Sequence, residues 1–256
     1  MNEKELITYY NKFNEDKRLT TSHGKVEFLT AIKYIEKYLK KEDKIIDIGA
    51  GTGAYSVYFY DKGYDVTAVE LVKHNIRVIE KKRPSLKTYN GNALNLSKYK
   101  DDSFDIVLLF GPMYHLIDTE DKIKALNEAK RIVKKNGYIF ISYCMNEYAV
   151  ITHGIKEGFL KESIKNQELN KEFKIISKPT DLYSFVRLED IDYINKKSNV
   201  KRIKIISQDG PTEYLKKEIN KMDNETFDLY LKYHMSTCER KELLGSGRHI
   251  LDIIQK

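Results

Sequence analysis

The stretch from Lys44 to Glu70, KIIDIGAGTGAYSVYFYDKGYDVTAVE, constrains this chain more than any other. Ile45, Ile46 and Ile48, broken only by Asp47, form the short apolar run of a strand buried on both faces. Gly49, Gly51 and Gly53 follow as a glycine loop; Ala54 to Lys62 has helical length, and Gly63 stops it. A second strand, Asp65 to Val69, ends on Glu70. Strand, glycine loop, helix, strand and terminal acid make a nucleotide-binding βαβ unit.

Two ligands suit these residues. Gly49, Gly51 and Ala54 satisfy the G-x-G-x-x-G/A pattern of dinucleotide sites, with Glu70 as the ribose acid. The same residues read D-x-G-x-G-x-G from Asp47 to Gly53. A carboxylate at the loop mouth is a poor neighbour for a pyrophosphate and a good one for an ammonium and a sulfonium. The run from Asp47 resembles the first motif of the class I S-adenosylmethionine-dependent methyltransferases. The downstream chain continues that resemblance. A strand over 86–90 leads into Gly91-Asn92-Ala93-Leu94, where the superfamily has a comparable G-D-A; the Asn92 carbonyl still accepts a hydrogen bond. Phe104-Asp105-Ile106-Val107 resembles the fourth motif. Gly111-Pro112-Met113-Tyr114-His115-Leu116 resembles the exit from strand four in bacterial small-molecule members.

The resemblance covers residues 34–145. It implies S-adenosylmethionine as cofactor, lying across the C-terminal ends of the strands. Gly49, Gly51 and Gly53 would let the backbone approach it, with Ala50 among the binding residues and Asp47 beside its ammonium and sulfonium. Glu70 would take both ribose hydroxyls, Leu71 would flank the adenine, and Asn92 and Ala93 would meet its edge. Phe110 and Gly111 would border the donor, with Tyr114 and His115 overhanging it. Methyl transfer from a sulfonium needs a base only if the nucleophile arrives protonated. His115, with an ordinary pKa close to working pH, is the nearest candidate, and Tyr114 beside it is the other catalytic candidate; the other reading of His115 is a positioning side chain.

The implied fold is a doubly wound, seven-stranded, mostly parallel Rossmann-like sheet whose last strand runs antiparallel. One domain is expected over 1–256: an N-terminal helical flap (1–30), the cofactor core (34–145), a substrate-binding insertion (146–199) and a completing C-terminal part (200–256). Leu6, Tyr9, Tyr10 and Phe13 have helical spacing over 3–13, as a docking helix or as a flap that closes Tyr10 on the ligand. The polar stretch 14–22 reads as a loop. Within it, Arg18 either meets the cofactor's carboxylate or is an ordinary surface arginine. Thr21 or Ser22 caps a helix that buries Val26, Leu29, Ile32, Ile35 and Leu39, with Glu27 favourable in its opening turns. A helix from 118 is expected to end at Lys134, Lys135 and Gly137, before a strand over 138–143. Beyond it lie helical turns over 147–166, extended chain over 170–183 and a helix over 188–195. A strand (201–207), helices over 211–222 and 226–238, and a strand over 249–255 complete the pattern.

Lysine outnumbers arginine in the net charge of +7 and is scattered in pairs, as on a solvated surface rather than a nucleic-acid groove. No apolar run approaches the length of a membrane span, and the N-terminus lacks a signal-peptide core, so a soluble cytoplasmic protein is expected. Two cysteines make neither a disulfide framework nor a zinc site; no metal is expected, and Cys144 reads as a buried thiol. The Asp/Asn-Pro-Pro-Tyr of adenine amino-methylating enzymes is absent, and Pro112 precedes Met113 rather than a cysteine. The expectation is methyl transfer to a small-molecule acceptor. The alternatives are an RNA methyltransferase and a non-catalytic S-adenosylmethionine-binding protein.

Overall fold

The computed structural model describes residues 3–12 and 15–256; Phe13 lies outside them. After α1 (Glu3–Lys12), a 3₁₀ turn (Glu15–Thr20) leads into α2 (Ser22–Glu36). The core then runs β1 (Lys44–Ile48), α3 (Ala54–Asp61), β2 (Asp65–Glu70), α4 (Lys73–Lys82), β3 (Lys87–Asn90) and β4 (Phe104–Leu109). A single-turn α5 (Gly111–His115), α6 (Thr119–Ile132) and the long β5 (Val133–Met145) follow. The insertion holds α7 (Asn146–Ala149), a π-helical stretch Val150–Lys156, α8 (Leu160–Lys165), the two-residue β6 (Phe185–Val186) and α9 (Leu188–Lys197). The chain closes with β7 (Lys201–Ser207), α10 (Lys216–Ile219), α11 (Asn224–Thr237) and β8 (His249–Gln255).

The sheet order is β3-β2-β1-β4-β5-β8-β7, with β6 beside the end of β5. Pairings from β3 to β5 are parallel, and β8 is antiparallel to both of its neighbours. The expected path of seven strands is present, and β6 adds an eighth. Alternation along each strand divides the core into two layers. Ile46, Ile48, Val107, Leu109, Ile139 and Ile141 pack with α6 and α9 on one face. Ile45, Ile106, Leu108, Phe140 and Leu251 pack with α2 and α3 on the other. Both faces are covered, so four of the five β1 residues are buried. No helix among the described residues is long and apolar enough to cross a membrane.

Three expected boundaries are corrected. The polar stretch before α2 is no plain loop: its Glu15–Thr20 part winds as a 3₁₀ turn, and Thr21 Oγ1 caps α2 by accepting the Gly24 N–H at 3.2 Å. The helix after Asp118 stops at Ile132, because Val133 already has extended angles and begins β5. Lys134 therefore belongs to the strand and pairs with Asp105 of β4, while Asn136, at φ +65°, and Gly137 carry the chain across an irregular register. The helix expected over 211–222 shrinks to a 3₁₀ turn and the four-residue α10. Ile219 is its one buried side chain and Leu215 is exposed, so a longer helix would bury little more.

Candidate active site

Between β1 and β4 the strand order reverses, and there the carboxyl ends of the strands open onto two cavities. The first, 300 Å³, is bordered by Glu70, Leu71, Asn92, Ala93, Tyr10 and His115. The second, 230 Å³, is bordered by Asp47, Ala50, Phe110, Arg18, Glu27 and Lys82. Gly49, Gly51, Gly111 and Tyr114 line both. Gly49 sits at φ +73°, and a Cβ there would lie 2.5 Å from Pro112 Cδ, so only glycine lets the loop touch the α5 turn. Gly53 departs from the expectation. It borders neither cavity, and its left-handed backbone starts α3 against Ile79.

Glu70 is 6% exposed. Its Oε2 accepts the Gly51 N–H and its Oε1 the Val72 N–H, both at 2.8 Å, so the carboxyl ties the loop to the end of β2. Burial raises its pKa to about 7 against those stabilising hydrogen bonds. Asp47, buried at the end of β1, accepts Ser56 Oγ at 2.6 Å, and burial raises its pKa to about 6. Asn92 Oδ1 accepts the Leu94 N–H at 2.9 Å, which fixes its amide beside the first cavity.

His115 is not the ordinary imidazole expected. Nδ1 lies 2.8 Å from the Leu182 carbonyl, which can only accept, so Nδ1 carries the proton. Nε2 is then an acceptor, and the Tyr10 hydroxyl meets it at 2.7 Å. Burial drives the pKa down to about 4. Tyr183 stacks on the ring, and the Tyr114 carbonyl accepts the Ser184 N–H at 2.7 Å. The insertion is thus fastened to α5, with α1 closing from the opposite side.

A second cluster escaped sequence reasoning. Arg18 donates to Glu27 at 2.6 Å, and Glu27 Oε2 lies 3.5 Å from His249 Nδ1. That nitrogen is 2.8 Å from Asp209, whose other oxygen accepts the His249 backbone N–H. Burial works against a charged ring, yet Glu27 and Asp209 outweigh it and raise the His249 pKa to about 10. Glu27 is lowered to about 2: its burial acts upward, and Arg18 and His249 overcome it. The three side chains have the spacing of metal ligands, but the imidazolium and Arg18 already balance the carboxylates. In sequence Glu27 is one acid among many near a helix start, and His249 one polar residue opening a strand.

The first cavity suits a nucleoside, with a carboxyl for the sugar and an amide at its edge. The second carries both signs of charge, Arg18 and Lys82 against Glu27 and Asp47, as a zwitterionic amino-acid end requires. The residues present therefore fit S-adenosylmethionine. A doubly wound fold with this pair of cavities has the form of a nucleoside-binding α/β enzyme.

Residues 46–141 match the family model described as a methyltransferase domain. An uncharacterized protein of Methanocaldococcus jannaschii is 25% identical over 71% of this chain and 73% of its own length. A demethylmenaquinone methyltransferase of Paenarthrobacter aurescens is 31% identical, over 41% of this chain and only 40% of that protein. In fold, an S-adenosylmethionine-dependent methyltransferase of Thermotoga maritima aligns with a TM-score of 0.60 at 21% identity, covering 98% of this chain and 99% of that one. Residues 46–141 are thus a methyltransferase domain on the fold of the S-adenosylmethionine-dependent methyltransferases, and S-adenosylmethionine is its cofactor.

Proposed function

We propose that the enzyme methylates a small-molecule acceptor, held between α5 and the 146–199 insertion. The observation that carries this reading is the closure at His115. Tyr10 on α1 and Leu182 in the insertion grip the two nitrogens of one ring, which brings both segments together beside the first cavity. Bound there, the cofactor supplies a methyl group on a sulfonium whose departure leaves a neutral thioether. The chain's own part is to position. Glu70 and the Gly49–Gly51 backbone hold the nucleoside, Arg18 and Asp47 the methionine end, and Tyr114 with His115 form the wall facing the acceptor. Leu71, Asn92 and Ala93 frame the base. Neutral His115, its lone pair on Nε2 shared with Tyr10, acts here as a positioning group. The relative from Paenarthrobacter, named as a demethylmenaquinone methyltransferase, supports this class.

A macromolecular acceptor is the second reading. It is favoured by the +7 charge and by other matched relatives named as protein and ribosomal RNA methyltransferases. The test is transfer of a labelled methyl group from S-adenosylmethionine to small-molecule, peptide and RNA pools. Label confined to the small-molecule fraction is expected. Label on RNA, with salt-sensitive RNA binding, would overturn the small-molecule reading.

A further inference from the structure

The insertion contains a cavity of its own. It measures 370 Å³, within the range of small-molecule sites, and none of its lining residues borders either cofactor cavity. Its wall is mainly apolar, with Tyr148, Val150, Leu169, Ile175, Ile176 and Phe185. The charged side chains of the lining already have partners: Lys178 Nζ pairs with Glu168 at 3.2 Å, the Asp181 carboxylate accepts the Lys178 backbone N–H at 2.7 Å, and His153 lies 2.9 Å from Glu157. They offer little to a polar ligand and leave an apolar hole.

One segment separates this hole from the methyl-transfer site. In 181–185, Leu182 and Tyr183 hold His115 by a hydrogen bond and a stacked ring, while Asp181 and Phe185 line the insertion cavity. Phe185 also pairs with Cys144 at the end of β5, so the hole lies just beyond the sheet edge that carries the chemistry. The insertion segments that build it expose further large apolar side chains, Ile151, Ile155, Phe159 and Ile164, at 41%, 62%, 41% and 48%. Part of the wall, Val150–Lys156, is π-helical, a form that often accompanies functional sites.

We infer that the insertion cavity is a binding site of its own for a straight hydrocarbon chain, divided from the methyl-transfer site by the 181–185 wall. The ligand class is an aliphatic chain, and the site is separate from the one that the functional reading above describes.

The chain contains no tryptophan, so one introduced on the cavity wall is the single side chain excited at wavelengths beyond tyrosine absorption. Ile176→Trp suits this purpose because Ile176 lines the cavity and is 48% exposed; Thr152→Trp is a second reporter should the first fail to fold. Leu229→Trp, on exposed α11, is the control. Each is titrated with straight-chain alcohols from 1-hexanol to 1-dodecanol, with S-adenosylhomocysteine binding followed in parallel by calorimetry. A saturable emission change at 176 or 152 is expected. Its affinity should rise about three- to fourfold per methylene, the factor for ~0.8 kcal/mol per CH₂, until the cavity fills and the gain stops. The control should stay silent. No saturable change, an equal response at 229, or a gain that never levels would overturn the inference while S-adenosylhomocysteine binding stands. Loss of that binding in the unmodified protein would instead overturn the cofactor site on which the functional reading depends.

Discussion

Tyr10 Oη lies 2.7 Å from His115 Nε2, though 105 residues separate them in the chain. The contact joins the N-terminal helix to the turn after β4, and the Leu182 carbonyl on Nδ1 fixes which nitrogen accepts. With both nitrogens engaged and burial holding its pKa at about 4, the ring stays neutral across the working range.

The His115 pair therefore predicts kinetics without a histidine limb. The pH–rate profile should show no ionisation near the ordinary value of 6.5 that disappears in His115→Asn. Tyr10→Phe removes one hydrogen bond, about 1 kcal/mol, and should weaken S-adenosylhomocysteine binding about fivefold with the profile's shape unchanged. A loss of turnover of about 10²-fold or more in His115→Asn at saturating cofactor, with the limb abolished, would make His115 a general base after all.

Glu70 should couple cofactor binding to proton release. Its carboxyl is about half protonated at pH 7, and ribose hydroxyls donate best to the ionised form. Calorimetry near pH 7 in two buffers of different ionisation enthalpy should show protons leaving as S-adenosylhomocysteine binds. Glu70→Gln should abolish the release and lower affinity at least about tenfold. The raised pKa also has a folding consequence. Unfolded, the group loses its proton near 4.5; folded, near 7, so its cost to stability grows as pH rises between them. Relative to the unmodified protein, Glu70→Gln should gain in melting temperature from pH 4 to pH 8. Equal shifts at both ends would count against a buried, titrating Glu70.

His249 carries the opposite sign. Its pKa rises from 6.5 to about 10, so its stabilisation is complete below 6.5 and is lost as pH climbs through 10. Glu27 and Asp209 face the ring, with Arg18 and Arg248 close by. His249→Gln should lower the melting temperature much more at pH 6 than at pH 10. A loss independent of pH would mean the ring is neutral in the folded protein.

Gly49→Ala tests the joint between the loop and α5. The added methyl meets Pro112 at 2.5 Å on a backbone at φ +73°, so overpacking and a left-handed alanine act together. The expected cost is about 2–3 kcal/mol, a fall of roughly 4–12 °C for a chain of this size. An unchanged melting temperature would show that the α5 turn can move away freely.

Where the signal was local, the sequence was sufficient. The isoleucines of β1, the glycines after it and the acid closing β2 act within 27 residues, and their spacing alone dictates a βαβ unit with its ligand at the turn. The Gly-Pro exit from β4 is similarly self-contained, since two backbone-restricted residues set the turn wherever the chain goes next. The boundary after α6 was not, because a lysine pair before glycine looks the same on a helix end as on a strand. The register with β4 and the Lys134–Asp105 ion pair decided it. Nor could spacing reveal that Glu27 on α2, Asp209 after β7 and His249 on β8 converge, or that Tyr10 reaches His115. Those contacts span long stretches of chain, and the charge of each group depends on burial and on its partner. Burial and partnership arise only when the sheet closes, so the site's protonation was decided by tertiary structure.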